Sequence, residues 1–287
     1  MAVPYEQHEV LLDVQDVSLK MGKGDKEKLI LRDVNVQVRN IVVPGTVKGQ
    51  IVGFLGPSGV GKTKLFEILA GIRKPTTGNV LAGFPLEPVK LGKVGVVQQN
   101  YPLFDHRTVW KNLLIAAKLC KGCVDKEKCK GCGKEKEQKV ADLLGRFGLW
   151  DKKDQHPDEL SGGQRQRVAI AQQLMSAEHF LLLDEPFSGL DINMTKEVSK
   201  MLVEIANQDE RNTIIIVSHD IPATAAISDH LWVMGRDREP DGSVVPGAYI
   251  KHKFDLAEMG LAWEQSSHEN PAFTTLLHQV RSLFPTL

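Results

Sequence analysis

The chain has 287 residues, enough to bury a substantial core, and 42% of them are hydrophobic. Its 36 Lys and Arg residues balance 36 Asp and Glu residues, so no global field attracts it to nucleic acid or anionic lipid. The longest aliphatic runs, such as residues 214–217, are far shorter than the roughly twenty residues that a membrane-spanning helix needs. These properties predict a globular protein without a membrane span.

The first ten residues lack the basic start and apolar stretch of a secretory signal, so we expect the protein to stay in the cytosol. Cysteines of a cytosolic protein are not expected to form disulfides. The sequence has two Cys-x-x-Cys pairs, formed by Cys120, Cys123, Cys129 and Cys132. Four thiolates suit tetrahedral zinc, so the pattern predicts a structural zinc site. Free thiols, two redox-sensitive disulfides and an iron–sulfur cluster are the alternatives.

Apolar strands alternate with helical patterns along most of the chain, which is typical of a parallel sheet covered by helices. Three short apolar runs without alternation are predicted to be central strands, buried on both faces: residues 50–55, 180–183 and 213–217. Ligands of such sheets bind beyond the carboxyl ends of the strands, where we expect Ser58, Asp184 and His219 to converge. The predicted fold class is α/β with a parallel-rich sheet.

We expect one domain over residues 1–240. Its middle part, at about residues 101–165, has no strand pattern and is predicted to be an α-helical lobe. A charged Cys-rich insert occupies residues 118–139 of that lobe.

The remaining residues, 241–287, are predicted to be a carboxyl-terminal extension. Residues 236–247 are rich in charge, Gly and Pro, which indicates a turn. Residues 256–287 have a helical pattern.

A glycine-rich segment lies between the predicted strand that ends at Leu55 and a helix expected from about Lys64. It has the full pattern of a phosphate-binding loop: Gly56, Pro57, Ser58, Gly59, Val60, Gly61, Lys62 and Thr63. Glycines let the backbone curl so that its amides point inward, and the helix adds its positive end. We expect Lys62 to contact the outer phosphates and Thr63 to bind Mg²⁺. A glycine-rich turn with a chance lysine is the alternative.

Two adjacent carboxylates, Asp184 and Glu185, follow the apolar run 180–183. Asp184 is expected to hold Mg²⁺, and Glu185 to polarise a water in line with the terminal phosphate. Acidic residues at a strand end more often form a solvated turn. The phosphate loop upstream favours the functional interpretation.

Residues 160–167, Leu-Ser-Gly-Gly-Gln-Arg-Gln-Arg, closely resemble the signature sequence of the ATP-binding cassette (ABC) family. A serine followed by two glycines and a helix-forming run predicts an N-capped helix with an open anion-binding end. A capped surface helix is the alternative. In the family this end completes the ATP site of the facing subunit, which assigns nucleotide contacts to Ser161, Gly162, Gly163 and Gln164.

Three shorter matches follow in the order that the family requires. Gln99 takes the place of the loop glutamine, with Gln98 as the alternative. Residues 188–191 resemble the dimer-contact loop, and His219 resembles the switch histidine. The resemblance places Asp191 among the residues around the nucleotide. The resemblance implies that Gln99 also contacts Mg²⁺ and acts in catalysis with Glu185 and His219.

The resemblance covers roughly residues 10–234 and implies an ATP-hydrolysing subunit that binds ATP and Mg²⁺. It implies a dimer with a second copy or a homologous cassette, with two ATP molecules between the subunits. It further implies separate membrane permeases that dock beside residues 99–107, and a position on the cytoplasmic inner face of the cell membrane. Residues 184–191 resemble importers more than exporters, which implies a substrate-binding protein as a further partner.

Two positions depart from the family pattern. Met21 stands where an aromatic ring usually stacks on adenine, so Met21 or Tyr5 is expected to contact the base. Gln172 stands where the signature helix usually carries an arginine.

The lysine-rich insert suggests a second class of function, because some cassette ATPases act on ribosomes or damaged DNA. Those relatives usually carry two cassettes in one chain, whereas this sequence has one signature. We therefore expect no nucleic-acid partner.

Overall fold

The computed structural model describes residues 5–118, 132–176, 179–262 and 270–287, except for the side chain of residue 132. In these residues the strands are β1 (Glu6–Met21), β2 (Lys28–Val42), β3 (Gln50–Leu55), β4 (Thr77–Ala82), β5 (Glu87–Pro88), β6 (Gly95–Val97), β7 (Phe180–Asp184), β8 (Thr213–Ser218), β9 (His230–Gly235) and β10 (Tyr249–Asp255). The α-helices are α1 (Lys62–Leu69), α2 (Val109–Lys118), α3 (Cys132–Arg146), α4 (Gly162–Ser176), α5 (Ile192–Ala206), α6 (Ile221–Ala225) and α7 (Pro271–Leu283).

The central sheet of the described chain has the strand order β10-β9-β3-β8-β7-β6. All neighbours are parallel except β10, which pairs antiparallel to β9. The three predicted central strands are β3, β8 and β7, and they lie side by side. The α/β prediction is therefore confirmed, with a mixed sheet that is mostly parallel.

Successive residues of these strands point to opposite faces of the sheet, and both faces are covered. One hydrophobic cluster contains residues of α1 and every second strand residue, such as Val52, Leu182 and Ile215. The other contains residues of α2, α3, α4 and α5 and the intervening strand residues, such as Ile51, Leu181 and Ile214. Burial on both faces is the physical reason why these strands have no polar alternation.

A second, four-stranded sheet with the order β2-β1-β4-β5 was not predicted from the sequence. All its pairs are antiparallel, and the long β1 and β2 strands form most of it. Its buried side chains share the hydrophobic cluster with α1 and the central sheet. The helix that follows the phosphate loop is therefore held between two sheets.

The carboxyl-terminal region differs from the helical pattern expected from residue 256. Residues 249–255 form β10, residues 256–260 form a turn, and α7 begins only at Pro271, with Asn270 as its N-cap. Phe273, Leu276 and Val280 of α7 pack in a third cluster with residues of β9. The boundary at residue 240 stays a prediction, although β10 belongs to the central sheet.

Of the helices in the described ranges, none has the combination of length and apolar character that is needed to cross a bilayer.

Gly53 lies in the middle of β3, two residues before the strand ends. A Cβ at this position would lie 2.6 Å from Thr224 Cγ2, 2.7 Å from Leu231 Cδ2 and 2.9 Å from Ser228 Oγ. We expect Gly53→Ala to lower the free energy of unfolding by about 1–3 kcal/mol, because these neighbours are packed and must move. Denaturant unfolding measures this change.

Gly145→Ala is the matched control, because a Cβ there meets no atom within 4 Å and the residue lies in α3. It should leave stability unchanged or raise it by up to about 1 kcal/mol. Equal stability of the Gly53→Ala protein and the wild type would contradict the close packing of β3.

Candidate functional site

The phosphate loop connects β3 to α1, and α1 begins at Lys62, slightly earlier than predicted. Gly59 and Gly61 have φ angles of +75° and +124°, which side chains rarely tolerate. A Cβ at Gly56 would lie 2.9 Å from the carbonyl oxygen of Met234. The curled backbone of this loop therefore depends on glycine at defined positions.

Lys62 is buried at the start of α1, and its ammonium group binds the loop itself. Nζ donates to the carbonyl oxygens of Gly56, at 2.7 Å, and Pro57, at 3.2 Å. Burial lowers the pKa of Lys62, and the carboxylates of Glu185 and Asp184 oppose that shift. The lysine thus lies between the phosphate loop and the two acidic residues.

Asp184 is the last residue of β7, beside β8 in the central sheet. Burial raises the pKa of Asp184, Glu185 raises it further, and Lys62 opposes both. Its side chain lines a cavity of about 630 Å³, together with Thr63, Glu67, Gln98, Gln99 and Asn100, among others. Hydroxyl, carboxylate and amide oxygens are the ligands that Mg²⁺ accepts, so this donor set fits the predicted ion.

Glu185 has a φ of +51°, a conformation that is uncommon outside glycine and is found at functional sites. Its amide donates to the carbonyl oxygen of Val217, at 2.8 Å. Its Oε2 accepts from Ser218 Oγ, at 3.1 Å, and from the amide of His219, at 3.3 Å. The same oxygen lies 2.8 Å from His219 Nδ1. The ends of β7 and β8 therefore hold the predicted base and the predicted switch histidine together.

The signature residues form the start of α4. Ser161 Oγ accepts from the amide of Gln164, at 3.3 Å, and Gln164 Oε1 accepts from the amide of Ser161, at 3.0 Å. This reciprocal pair is a capping box, so the helix has the predicted N-cap. Gly162 is exposed, whereas Gly163 is buried, and a Cβ added at Gly163 would clash with Met194 Cε. In the described chain, the side-chain hydrogen bonds of Ser161 and Gln164 stay within this cap.

Two other contacts connect the signature helix and Gln99 to the residues that follow Glu185. Gln166 of α4 is buried, and its Nε2 donates to the carbonyl oxygen of Pro186. Gln99 Nε2 donates to Ser188 Oγ, at 3.4 Å. Asp191 caps α5 by accepting from the amide of Met194, at 2.9 Å. Both Gln98 and Gln99 line the cavity near Asp184, so the assignment of Gln99 stays a prediction.

Two residues that position this region were not identified in the sequence analysis. Ser218 is fully buried and bonds to the carboxylate of Glu185. Asn112 of α2 donates to the carbonyl oxygens of Phe104, Arg107 and Thr108 and shapes the segment between β6 and α2. Asn112 could have been identified from the sequence, because it is a polar residue on the apolar face of a predicted helix. The position of Ser218 depends on strand register, which has no local signal.

The two candidates for adenine contact lie at opposite ends of the 16-residue strand β1. Met21 ends that strand and packs against the cluster that includes α1. Tyr5 precedes the strand, and its hydroxyl donates to Asp255 Oδ2, at 3.5 Å. Tyr5 therefore lies beside β10, and this geometry argues against Tyr5 as the base contact.

The predicted zinc site lies outside the described residues. Residues 119–131 include Cys120, Cys123 and Cys129, and the side chain of Cys132 is not described either. Elsewhere, in the ranges that the structure covers, no group of three or more His, Cys, Asp or Glu side chains could hold a metal ion. The zinc prediction stays untested.

Comparisons with known proteins point to one family. The protein-family model of the "ABC transporter" family matches residues 45–188, half of the chain. The methionine import ATP-binding protein MetN of Chlamydia pneumoniae is 33% identical over 80% of this chain and 64% of its own length. The uncharacterized ABC transporter ATP-binding protein YtlC of Bacillus subtilis is 33% identical over 81% of this chain and 83% of its own. The chain thus spans less than two thirds of MetN.

A solved structure has a similar fold over nearly the whole chain. CbiO1 of Clostridium perfringens, part of the ABC transporter complex cbiONQ, is 26% identical with a TM-score of 0.67. The match covers 96% of this chain and 100% of that one. With the matched sequence model and the covered relatives, the similarity shows that this chain belongs to the ABC transporter family and is one of its ATP-binding cassettes.

Proposed function

We propose that this chain is the ATP-hydrolysing subunit of an ABC transporter and couples dimer closure and opening to import by separate membrane subunits. One observation carries the proposal. Glu185 is held against Ser218 and His219 at the ends of two parallel strands, beside the buried Lys62 of the phosphate loop. A surface turn would not need a residue with a left-handed backbone, such as Glu185, next to a buried cation. The import direction rests on the similarity to import ATP-binding proteins such as MetN.

ATP binding is assigned to the phosphate loop. The curled backbone from Gly56 to Gly61 directs its amides and the amino-terminal end of α1 toward phosphate oxygens, and Lys62 adds a cation. The residues proposed to hold Mg²⁺ are Thr63, Asp184 and Gln99. When bound, that ion neutralises charge on the outer phosphates.

Hydrolysis is assigned to Glu185, which accepts a proton from, or orients, the water that attacks the terminal phosphate. His219 would contact that phosphate, since its ring lies beside Glu185. Ser218 fixes the carboxylate by donating to it from a fully buried position. A direct test is the ATPase activity of the purified protein, alone and with its permeases, measured as phosphate release.

We propose that two copies of the chain, or this chain and a homologous cassette, enclose two ATP molecules. The signature end of each α4 would then contact the partner's nucleotide through Ser161, Gly162, Gly163 and Gln164. Asp191, which caps α5, would lie at the dimer contact. The exposure of Ser161 and Gly162 supports this assignment.

A slow-hydrolysing variant should reveal that dimer. We expect Glu185→Gln to dimerise at saturating ATP and to stay monomeric without ATP, because uncleaved ATP holds the two subunits together. Static light scattering measures the mass. Adding Gly162→Glu should abolish the dimer without affecting folding, because a Cβ at Gly162 meets no atom within 4 Å. A monomer at saturating ATP, with ATP bound, would contradict self-association of the isolated subunit.

The surface beside residues 99–107 is proposed to dock the permeases. A groove of about 400 Å³ lies there, lined by side chains of this segment, α2 and α4: Pro102, Leu103, Phe104, Ile115, Ala116, Gln172, Gln173 and Ser176. Gln172, at the position where the family usually has an arginine, is buried and donates to the carbonyl oxygen of Asn112. Such a groove can accept a short helix from a membrane subunit.

The proposed location is the cytoplasmic face of the cell membrane, and a substrate-binding protein is proposed as a further partner of the importer. Residues 1–240 would form the nucleotide-binding domain, with a helical lobe at residues 101–165, and residues 241–287 its extension. Co-purification tests the partners. Recovery of membrane permeases would support transport, whereas recovery of ribosomes or DNA would favour the second class of function.

We also propose that Cys120, Cys123, Cys129 and Cys132 bind one structural zinc. Four thiolates leave no open position for water, so ATP hydrolysis should survive loss of the metal. Elemental analysis of protein purified without added metal should find about one zinc per chain. Only a trace of zinc, with all four thiols free to titrate, would end this proposal.

A further inference from the structure

The side chain of Arg236 contacts the phosphate loop through two carbonyl groups. Its Nη2 donates to the carbonyl oxygen of Gly59, at 3.1 Å, and to that of Val60, at 3.3 Å. Arg236 directly follows β9, which pairs in parallel with β3. The carboxyl ends of these two strands therefore lie side by side, and the residue after one reaches the loop after the other.

These two contacts restrict the orientation of two peptide groups in the loop. In a trans peptide the N–H points opposite to the C=O of the same group. Because the carbonyl of Val60 faces Arg236, the amide of Gly61 points away from the guanidinium. Gly61 has a φ of +124°, and glycine has wide conformational freedom, so an external hydrogen bond to the preceding carbonyl restricts this peptide group.

Arg236 is itself held in place by its neighbours. Lys251 Nζ donates to the carbonyl oxygen of Arg236, at 3.2 Å. The next residue, Asp237, accepts from Arg32 Nη2, at 2.6 Å, and from the hydroxyl of Tyr249, at 2.9 Å. The backbone that carries the guanidinium is thus fixed to β2 and β10. A fixed cation can hold the loop with little loss of side-chain entropy on nucleotide binding.

We propose that Arg236 is a positioning residue of the phosphate loop, which orients the loop amides for the phosphates of ATP without contacting the nucleotide. The proposal rests on the proposed function, since it requires that the loop binds ATP. It is distinct from the role of Lys62, whose ammonium group binds the carbonyl oxygens of Gly56 and Pro57.

The test compares nucleotide affinity with turnover. We expect Arg236→Ala to weaken binding of the fluorescent analogue mant-ATP about tenfold, because it removes a charged donor that two carbonyl groups share. The kcat at saturating ATP should stay within about threefold of the wild type, because the loop contacts bound ATP equally in the ground and transition states. Arg236→Lys should recover part of the affinity.

Arg238→Ala is the matched control. Arg238 lies two residues along the same segment and is exposed, and its Nη1 donates to the carbonyl oxygen of Gly242, at 3.4 Å. It should bind mant-ATP like the wild type. The nucleotide-free Arg236→Ala protein should melt within a few degrees of the wild type, which separates loop positioning from loss of folding.

Three results would overturn the inference. The first is wild-type affinity for mant-ATP in Arg236→Ala, and the second is a fall in the kcat of this variant with unchanged affinity. The third is an equal loss of affinity in Arg236→Lys and Arg236→Ala, together with a strongly lowered melting temperature. Wild-type protein that does not bind mant-ATP would instead overturn the proposed function, and this inference with it. The two failures are therefore distinguishable.

Discussion

Replacing Glu185 with Gln is expected to lower kcat for ATP hydrolysis by about a hundredfold or more, the usual contribution of a general base. Gln has nearly the same shape, so it keeps the packing, but its neutral amide cannot accept the proton of the attacking water. ATP affinity should stay within about threefold, because the phosphate loop and Lys62 carry the binding energy. Phosphate release measures kcat, and titration with a fluorescent nucleotide measures affinity.

Glu67→Gln is the control for this change, since it alters another carboxylate near the site, one that lines the cavity together with Asp184. Glu67 lies on α1 and pairs with Lys64 and Arg73. Its replacement should change kcat by less than about threefold, because these two ion pairs are partly exposed and Glu67 has no proposed role in proton transfer. Near-normal hydrolysis by Glu185→Gln would remove Glu185 from the mechanism.

The phosphate loop could be predicted because its signals are local. A buried strand, glycines at fixed spacing and a helix-forming run are contiguous, and the structure has strand, loop and helix in that order. The positive φ angles of Gly59 and Gly61 are the physical reason for those glycines. The central strands were equally visible, since burial on both faces leaves each run without alternating polar residues.

Features that depend on pairing between distant segments could not be predicted. β10 carries polar residues along an edge of the sheet, so its sequence Tyr-Ile-Lys-His-Lys-Phe-Asp has no buried-strand pattern. The helical pattern from residue 256 reflects leucine and alanine content, whereas the backbone there turns. The contact of Ser218 with Glu185 requires the register in which Asp184 lies opposite Val217. That register is set by the packed sheet.

Lys62 should have the second large effect, because it is a buried cation of the site and has two kinds of neighbour. Its Nζ binds two loop carbonyls, and its charge faces the carboxylates of Asp184 and Glu185. An added polyphosphate would bring further negative charge to the same place. Without Lys62, the negative charge of the polyphosphate would lie near the carboxylates of Asp184 and Glu185 with no buried cation between them.

We therefore expect Lys62→Met, which keeps most of the side-chain volume, to weaken ATP binding by about a hundredfold, consistent with charged hydrogen bonds worth about 1.5–3 kcal/mol. Isothermal titration calorimetry with Mg-ATP measures the affinity, and melting without nucleotide tests folding. Lys64→Met is the control, because Lys64 pairs with Glu67, at 2.6 Å, on a half-exposed surface of α1. It should bind ATP within about threefold of the wild type, since such a pair contributes little. Equal affinity of the Lys62→Met and Lys64→Met proteins would show that the loop amides bind the phosphates without the buried cation.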